Sequence, residues 1–361
     1  MNLSRILGTS LTLTGLLGVG LIGAAHRKGD VIPTANAAEN WALPLAEQPA
    51  CRSLTPASLG GPLPEGDTVV IRWLGTSNYE VAYRGKVIVM DTFFDRPART
   101  RSVGFTPQQV KRADAILVGH AHYDHISDIA TVAAQTRAPV LGSAITTGEA
   151  VTLGVPAAQT ITVKGDNTEH YRYGDIEVQP THIIHSSIEP TLIPELSSLY
   201  DTDGLGPLTP EQAAQAAEVH AKGSSDPNII TLGTMGFTLT LPGDFTIVWF
   251  DSVSSISPEE QQLAEQLHHH VDVGLFPYTP HPIAETQLSY TFQHLQLFAP
   301  RLFAPTHHDH IWGAWLDNGV QPLFMKLRDE QPETKFVQPL YRSPICISTS
   351  GLNRGQYVLK N

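Results

Sequence analysis

Residues 115–128 read AILVGHAHYDHISD and place three imidazoles and a carboxylate within six positions, at His120, His122, Asp124 and His125. Neutral imidazole and ionised carboxylate are the donors that suit Zn²⁺ and neighbouring divalent metals. The apolar run Ala115–Val118 predicts a strand leading into these donors, and Ile126–Gln135 predicts a helix leaving them. Four such side chains gathered at one strand end, with no ion to bind, would bring little folding benefit. The alternative is a polar loop that happens to be rich in histidine, and the low background rate of such clusters weighs against it.

Further candidate ligands follow other predicted strands. Asp91 closes Lys86–Met90, and His182 and His185 follow Ile176–Thr181. Asp251 closes Phe245–Phe250, and His307 follows Leu302–Ala304. Taken singly, a polar residue at a strand end is more often a hydrogen-bonded structural group. Repeated in one chain, with one ending that reads His-x-His-x-Asp-His, these endings point to a shared metal site. His308 and Asp309 adjoin His307 and are candidates for supporting the ligands. His281 lies in a loop after the strand Val271–Phe276 and is a candidate substrate contact. His268-His269-His270 ends a predicted helix, where cations suit the C-terminus, and reads as surface structure. Neither cysteine has a histidine partner in sequence context, which argues against a thiol nucleophile.

The elements that must position these residues begin with the strand pattern Thr68–Leu74, then Tyr79–Tyr83 and Lys86–Met90 across tight turns. Strands and helices alternate afterwards. Gln159–Val163 and Ile176–Thr181 read as strands, and Thr234–Leu241 with Phe245–Phe250 as a hairpin. Pro258–His269 and Ala284–Phe298 read as helices, and Lys335–Gln338 and Pro344–Thr349 as the last strands. Meanders mixed with αβ alternation imply an α/β fold of two sheets covered by helices. Residues 188–228 form an insertion with one helical signal. Thr209 is its N-cap, Pro210 its N1 residue and Gln212 completes a capping box, before an Ala-rich stretch to His220. An insertion of this length is often a lid or binding loop; the alternative is a disordered excursion.

The chain has 361 residues, enough for a full core, with 41% hydrophobic and 16% charged residues. Its net charge of −12, with no Lys/Arg cluster, argues against a nucleic-acid partner. After Arg5, residues 6–25 are uncharged and mostly apolar, and Ala35-Asn36-Ala37 follows as a small-residue cleavage site. Residues 1–37 therefore read as a secretory signal peptide, which predicts an exported protein, periplasmic or secreted. The alternative is an N-terminal membrane anchor. No later stretch is apolar enough to span a bilayer. Residues 38–66 look like an irregular extension, and residues 67–361 like the functional domain. Cys51 and Cys346 are the only cysteines and are candidates for a disulfide in an oxidising compartment.

From residue 68 to residue 348 the chain resembles the metallo-β-lactamase-fold superfamily. Asp91 matches its first motif, His120–His125 the second, His182 or His185 the third, Asp251 the fourth and His307 the fifth. Within the superfamily two stretches are similar to the branch containing L-ascorbate-6-phosphate lactonase and N-acylphosphatidylethanolamine phospholipase D. These are Ile71-Arg-Trp-Leu-Gly75 leading into Lys86–Asp91, and Pro305-Thr-His-His-Asp309 followed by Ile311-Trp312. The resemblance implies a four-layer αββα sandwich and two divalent metals, zinc foremost and Mn²⁺ or Fe²⁺ as alternatives. It implies that His120, His122 and the third-motif histidine hold one metal, and Asp124, His125 and His307 the other. Asp251 would bridge the two and Asp91 would orient ligands from behind. Family members follow the third-motif histidine with a small residue, which suits His185, before Ser186-Ser187, better than His182.

Such a pair of metals predicts hydrolysis of an ester, lactone or phosphodiester by a metal-bridged hydroxide, with Asp124 as proton acceptor. A small molecule or a lipid is the expected substrate. Three rivals are a β-lactam hydrolase, a non-catalytic metal-binding or sensory protein of the same fold, and a di-iron redox protein. The last is disfavoured because no flavodoxin-like segment follows residue 348.

Overall fold

The N-terminal strands are short apolar runs, buried on both faces, that break at tight turns, and they pair as a meander. In the computed structural model, which describes residues 44–186, 207–278, 284–309 and 319–360, Thr68–Gly75 (β1), Asn78–Tyr83 (β2) and Lys86–Met90 (β3) are antiparallel neighbours. Their turns demand left-handed backbone, and Thr76, Arg84 and Gly85 supply it with φ of 49°, 43° and 81°. Ahead of β1 lies Pro49–Arg52 (α1), flanked by 3₁₀ turns at Leu45–Glu47 and Ala57–Leu59. Ala115–Leu117 (β4), Val140–Gly142 (β5) and Thr160–Thr162 (β6) then extend the sheet in parallel from β3. Tyr123–Ile126 (α2), Ile129–Thr136 (α3) and Ala144–Thr152 (α4) make the crossovers.

A second sheet follows. Tyr171–Tyr173 (β7), Ile176–His182 (β8), Met235–Leu241 (β9) and Phe245–Trp249 (β10) pair antiparallel. Pro210–His220 (α5) stands in the chain between β8 and β9, and Pro258–Gln266 (α6) follows β10. Val273–Pro277 (β11), Leu302–Thr306 (β12) and Lys335–Phe336 (β13) continue in parallel. Ala284–Phe298 (α7) and Gln321–Glu330 (α8) connect them. Pro344–Ser348 (β14) and Tyr357–Leu359 (β15) return to the first sheet, where β14 pairs with β1. The strand orders are β15-β14-β1-β2-β3-β4-β5-β6 and β13-β12-β11-β10-β9-β8-β7.

Strand alternation builds the layers. In β3, Ile88 and Met90 face the inter-sheet core while Val87 and Val89 face the cluster that contains Ile129, Val132 and Ala133 of α3. In β10, Ile247 and Trp249 face the inter-sheet core while Val248 packs with Leu295 and Phe298 of α7 and Leu323 of α8. The result is an α/β fold of two sheets back to back with helices outside, αββα. It leaves one sandwich edge, at the ends of β3, β4, β8, β10 and β12, free to carry polar loops.

The expected helix Ile126–Gln135 is instead two pieces, α2 and α3. The Asp128 carboxylate turns away to accept hydrogen bonds from the backbone N–H of Phe94 (2.6 Å) and Asp95 (2.8 Å). The helix expected to reach His269 stops at Gln266, because His268 and His269 adopt φ of 55° and 51°. The proposed signal sequence, His281 and Ile311-Trp312 lie outside the described residues, as does the first half of the insertion.

The stretch ahead of β1 is held by buried polar contacts. Arg72 donates to the Ala50 carbonyl (2.6 Å) and pairs with Glu80 at 3.1 Å. Glu80 accepts the N–H groups of Ala57 (2.9 Å) and Ser58 (2.7 Å). Cys51 and Cys346 form a disulfide with Cα atoms 5.8 Å apart.

Candidate metal centre

Each strand that ends at the polar edge delivers a donor there. β3 hands on Asp91, β4 leads through Gly119 to His120, β8 leads to His185, β10 to Asp251 and β12 to His307. Three non-glycine residues at this edge, Thr76, Asp91 and His307, are left-handed, with φ of 49°, 55° and 54°. Backbone in that region persists only where its surroundings hold it. The His307 N–H donates to the Thr76 carbonyl at 2.7 Å. The Asp309 carboxylate in turn accepts from the Thr76 N–H (2.9 Å), from Arg96 (2.6 Å) and from Tyr341 (2.5 Å).

The donors form three overlapping groups: His120, His122 and His185; His120, His125 and Asp251; and Asp124, His125 and His307. Within each, one ligand atom per residue lies within 4.8 Å of the others. His120 Nδ1 lies 2.6 Å from Asp251 Oδ2, so its proton sits there and Nε2 is a bare lone pair. His185 Nδ1 faces the Ser186 carbonyl, which fixes the same tautomer. The two lone pairs, His120 Nε2 and His185 Nε2, then face each other at 3.1 Å, and His122 Nδ1 lies 2.9 Å from the first of them. One N–H cannot satisfy three converging nitrogens; a cation can. Burial lowers the pKa of His120, of His122 and of His185, the last to about 3, so all three are neutral and ready to ligate near pH 7.

The second half of the site is rich in carboxylate. Asp124 Oδ2 lies 3.3 Å from His125 Nε2 and 3.1 Å from His307 Nε2. Burial alone would raise the Asp124 pKa, but His125 and His307 outweigh it and hold the group well below the ordinary carboxylate range. Burial disfavours a charged His125, yet Asp124 and Asp91 overcome that and raise its pKa. Burial raises Asp251, with Asp91 and Asp124 adding to the effect against His125. Asp251 Oδ1 and His307 Nδ1 are buried and lack a hydrogen-bond partner among the described residues. Orphaned acceptors, facing lone pairs and clustered carboxylates are what a divalent cation would satisfy, so the residues present fit metal.

Asp91 stands behind the donors. Its Oδ2 meets His125 Nδ1 at 2.7 Å and the Ser77 hydroxyl, and its Oδ1 accepts the Gly119 N–H at 3.0 Å. Ser77 Oγ also lies 2.8 Å from His125 Nδ1. Gly119 has no room for a side chain, since a Cβ there would collide with the Asp251 carboxylate. Reading the sequence missed both Ser77 and Gly119. The Gly75–Asn78 turn and the Val118-Gly119-His120 junction were the available signals.

Two expected supports are placed elsewhere. His182 sits 2.9 Å from the Thr231 carbonyl and 3.5 Å from Glu259, and it joins none of the three groups. As the last residue of β8 it lies three positions short of His185, which reaches the cluster. His308 stacks on Trp73, ring centroids 4.0 Å apart, instead of backing a ligand, because the next residue along from His307 turns into the core.

The second half of the insertion packs on this centre. His220, the last residue of α5, lies with its ring 4.4 Å from that of Tyr123, the neighbour of Asp124. Partial burial lowers the His220 pKa while the Asp124 charge opposes that.

Residues 86–204 match the family model described as "Beta-lactamase superfamily domain". The "UPF0173 metal-dependent hydrolase" of Pyrobaculum neutrophilum is 32% identical over 120 residues, which cover 32% of this chain and 51% of that protein. The chain thus spans about half the length of the curated relatives it matches. Among solved structures, Igni18, a metallo hydrolase from Ignicoccus hospitalis, superposes with a TM-score of 0.52 at 16% identity, covering 78% of this chain and 98% of that one. An isothiocyanate hydrolase from Delia radicum gut bacteria gives 0.50 at 13% identity, covering 78% and 100%. Likeness at that identity speaks to the fold.

Proposed function

We propose that this chain, which belongs to the metallo-β-lactamase superfamily, is an exported two-metal hydrolase of esters, lactones or phosphodiesters. The observation that carries the reading is the pair of facing lone pairs on His120 and His185, beside a buried, unsatisfied Asp251 oxygen. His120, His122 and His185 would hold one metal, Asp124, His125 and His307 the second, with Asp251 between them. Zinc suits this nitrogen-rich donor set best, with Mn²⁺ and Fe²⁺ as the alternatives. Bound there, divalent metals supply an activated water and a Lewis acid for the scissile carbonyl or phosphoryl oxygen.

The protein's own groups do the rest. Asp91 and Ser77 fix the His125 ring, and the Gly119 N–H fixes Asp91 in turn. The Asp251 carboxylate holds the His120 proton on Nδ1 and so leaves Nε2 free to bind. Asp124 stays ionised between His125 and His307, and in the proposed reaction its carboxylate would serve as the proton acceptor. A disulfide between Cys51 and Cys346, characteristic of oxidising compartments, supports export, as does the apolar N-terminal stretch.

Metal analysis with a hydrolysis screen of lactones, bis-p-nitrophenyl phosphate and nitrocefin tests the reading. About two metal equivalents, with turnover of an ester, lactone or phosphodiester that Asp124→Ala abolishes, are the expected results. Full occupancy with no turnover would favour a non-catalytic metal protein, and nitrocefin cleavage alone a β-lactam hydrolase. N-terminal sequencing of the mature protein is expected to begin at Ala38; an intact Met1 in the cytoplasmic fraction would overturn export.

A further inference from the structure

The segment between His185 and Asp251 is long, and the structure shows where its second half goes. Gln215 of α5 clamps the loop after β3, accepting from the Ala98 N–H (2.7 Å) and donating to the Arg96 carbonyl (3.1 Å). Val219 is buried against Phe93 and Tyr123, and the Phe93 and Tyr123 rings meet edge to face at 5.8 Å. Beyond α5, the Ser224 N–H donates to the Ala121 carbonyl at 2.8 Å, inside the His120–His125 run itself. A Cβ on Gly223 would strike the Tyr123 backbone, so that approach requires glycine. α5 is therefore a fixed wall built onto the ligand loop, and its last side chain, His220, is exposed beside Tyr123 and close enough to feel the Asp124 charge.

We propose that His220 is a substrate-positioning residue, donating an imidazole N–H to an anionic oxygen of a substrate held at Asp124, His125 and His307. The assignment rests on the hydrolase reading and deepens it, because it selects substrates that carry a phosphate or carboxylate oxygen beside the scissile bond. No ligand role is needed for His220, which belongs to none of the three metal-binding groups. Being exposed, its ring is open to an incoming ligand, while the contact with Tyr123 holds it beside the ligand loop. It also gives the insertion a task that the ligands themselves do not perform.

The test uses the metal-loaded protein and inorganic phosphate as the probe. His220→Ala is expected to retain its metal and to weaken phosphate affinity, measured by calorimetry, about ten-fold. His220→Gln, which keeps an N–H donor, should recover part of that loss. With bis-p-nitrophenyl phosphate, KM should rise more than kcat falls. Unchanged phosphate affinity in His220→Ala, or loss of metal in both variants, would overturn the assignment. If the wild-type protein binds phosphate through His220 yet hydrolyses nothing, the hydrolase reading fails and the binding role stands.

Discussion

At the scale of single residues, the centre separates two histidines that lie three positions apart. His185 Nε2 points at His120, whereas His182 is spent on the Thr231 carbonyl and Glu259. His185→Ala is therefore expected to lose one metal equivalent by mass spectrometry or plasma emission, and His182→Ala to keep both. The reverse result would mean that β8 ends one turn differently in the metal-loaded protein. The His-x-His-x-Asp-His run was legible in the sequence because its donors are contiguous and leave a strand together. The third-motif choice was not, because it depends on where β8 stops pairing with β9, a tertiary fact. The place of His308 was not legible for a related reason: β12 leads into left-handed backbone at His307, which sends the following ring onto Trp73.

At the scale of elements, the break between α2 and α3 has a titratable consequence. Burial raises the Asp128 pKa to about 6, while the Phe94 and Asp95 N–H groups work the other way. The folded protein thus binds this proton more tightly than the unfolded chain does. Stability from neutral Asp128 is present at low pH and is lost as pH rises through 6, by about 2–3 kcal/mol from a shift of this size. Asp128→Asn stays neutral and keeps an oxygen for both N–H groups. Its Tm should exceed that of the wild type at pH 7.5, with the gap closing toward pH 5. A gap independent of pH would assign the effect to packing. Several elements escaped the sequence reading for local reasons. α4 is rich in Thr and contains Gly148, so its helical propensity is poor and only the Ser143 cap, accepting from the Thr146 N–H at 3.1 Å, marks its start. α8 begins with no side-chain cap at all, and β5 is three residues long. By contrast, α5 carries Thr209, Pro210 and Gln212 in sequence, and the capping box forms as those residues imply.

At the scale of the molecule, two sheets back to back place every ligand-bearing strand end at one edge, so the αββα architecture and the metal site are a single design. That two sheets lie under helices was legible in the sequence; which face of β3 or β10 meets the inner core was not, because both are continuous apolar runs, nor was the order of strands across each sheet, since it joins residues hundreds of positions apart. The Cys51–Cys346 disulfide closes a loop with a sequence separation of 295. Chain-entropy arguments assign such a loop up to about 5 kcal/mol of stability. Reduction, or Cys346→Ser, should lower Tm substantially while leaving metal content intact, because neither sulfur approaches the donors. Unchanged Tm on reduction would show that the Arg72–Glu80 contacts alone suffice to hold the N-terminal stretch.

That same bridge brings the two extremities of the folded unit side by side. Cys51 and Cys346 have Cα atoms 5.8 Å apart, and the Lys360 ammonium donates to the Arg52 carbonyl. Topologically the described unit is already almost a ring. A short glycine-serine tether between residue 360 and residue 48 would complete it, and the ring could then be cut at an exposed turn such as Gly174. Such a circularly permuted protein should bind metal with unaltered stoichiometry, since its new ends would fall in the β7–β8 turn, at the opposite end of β8 from His185.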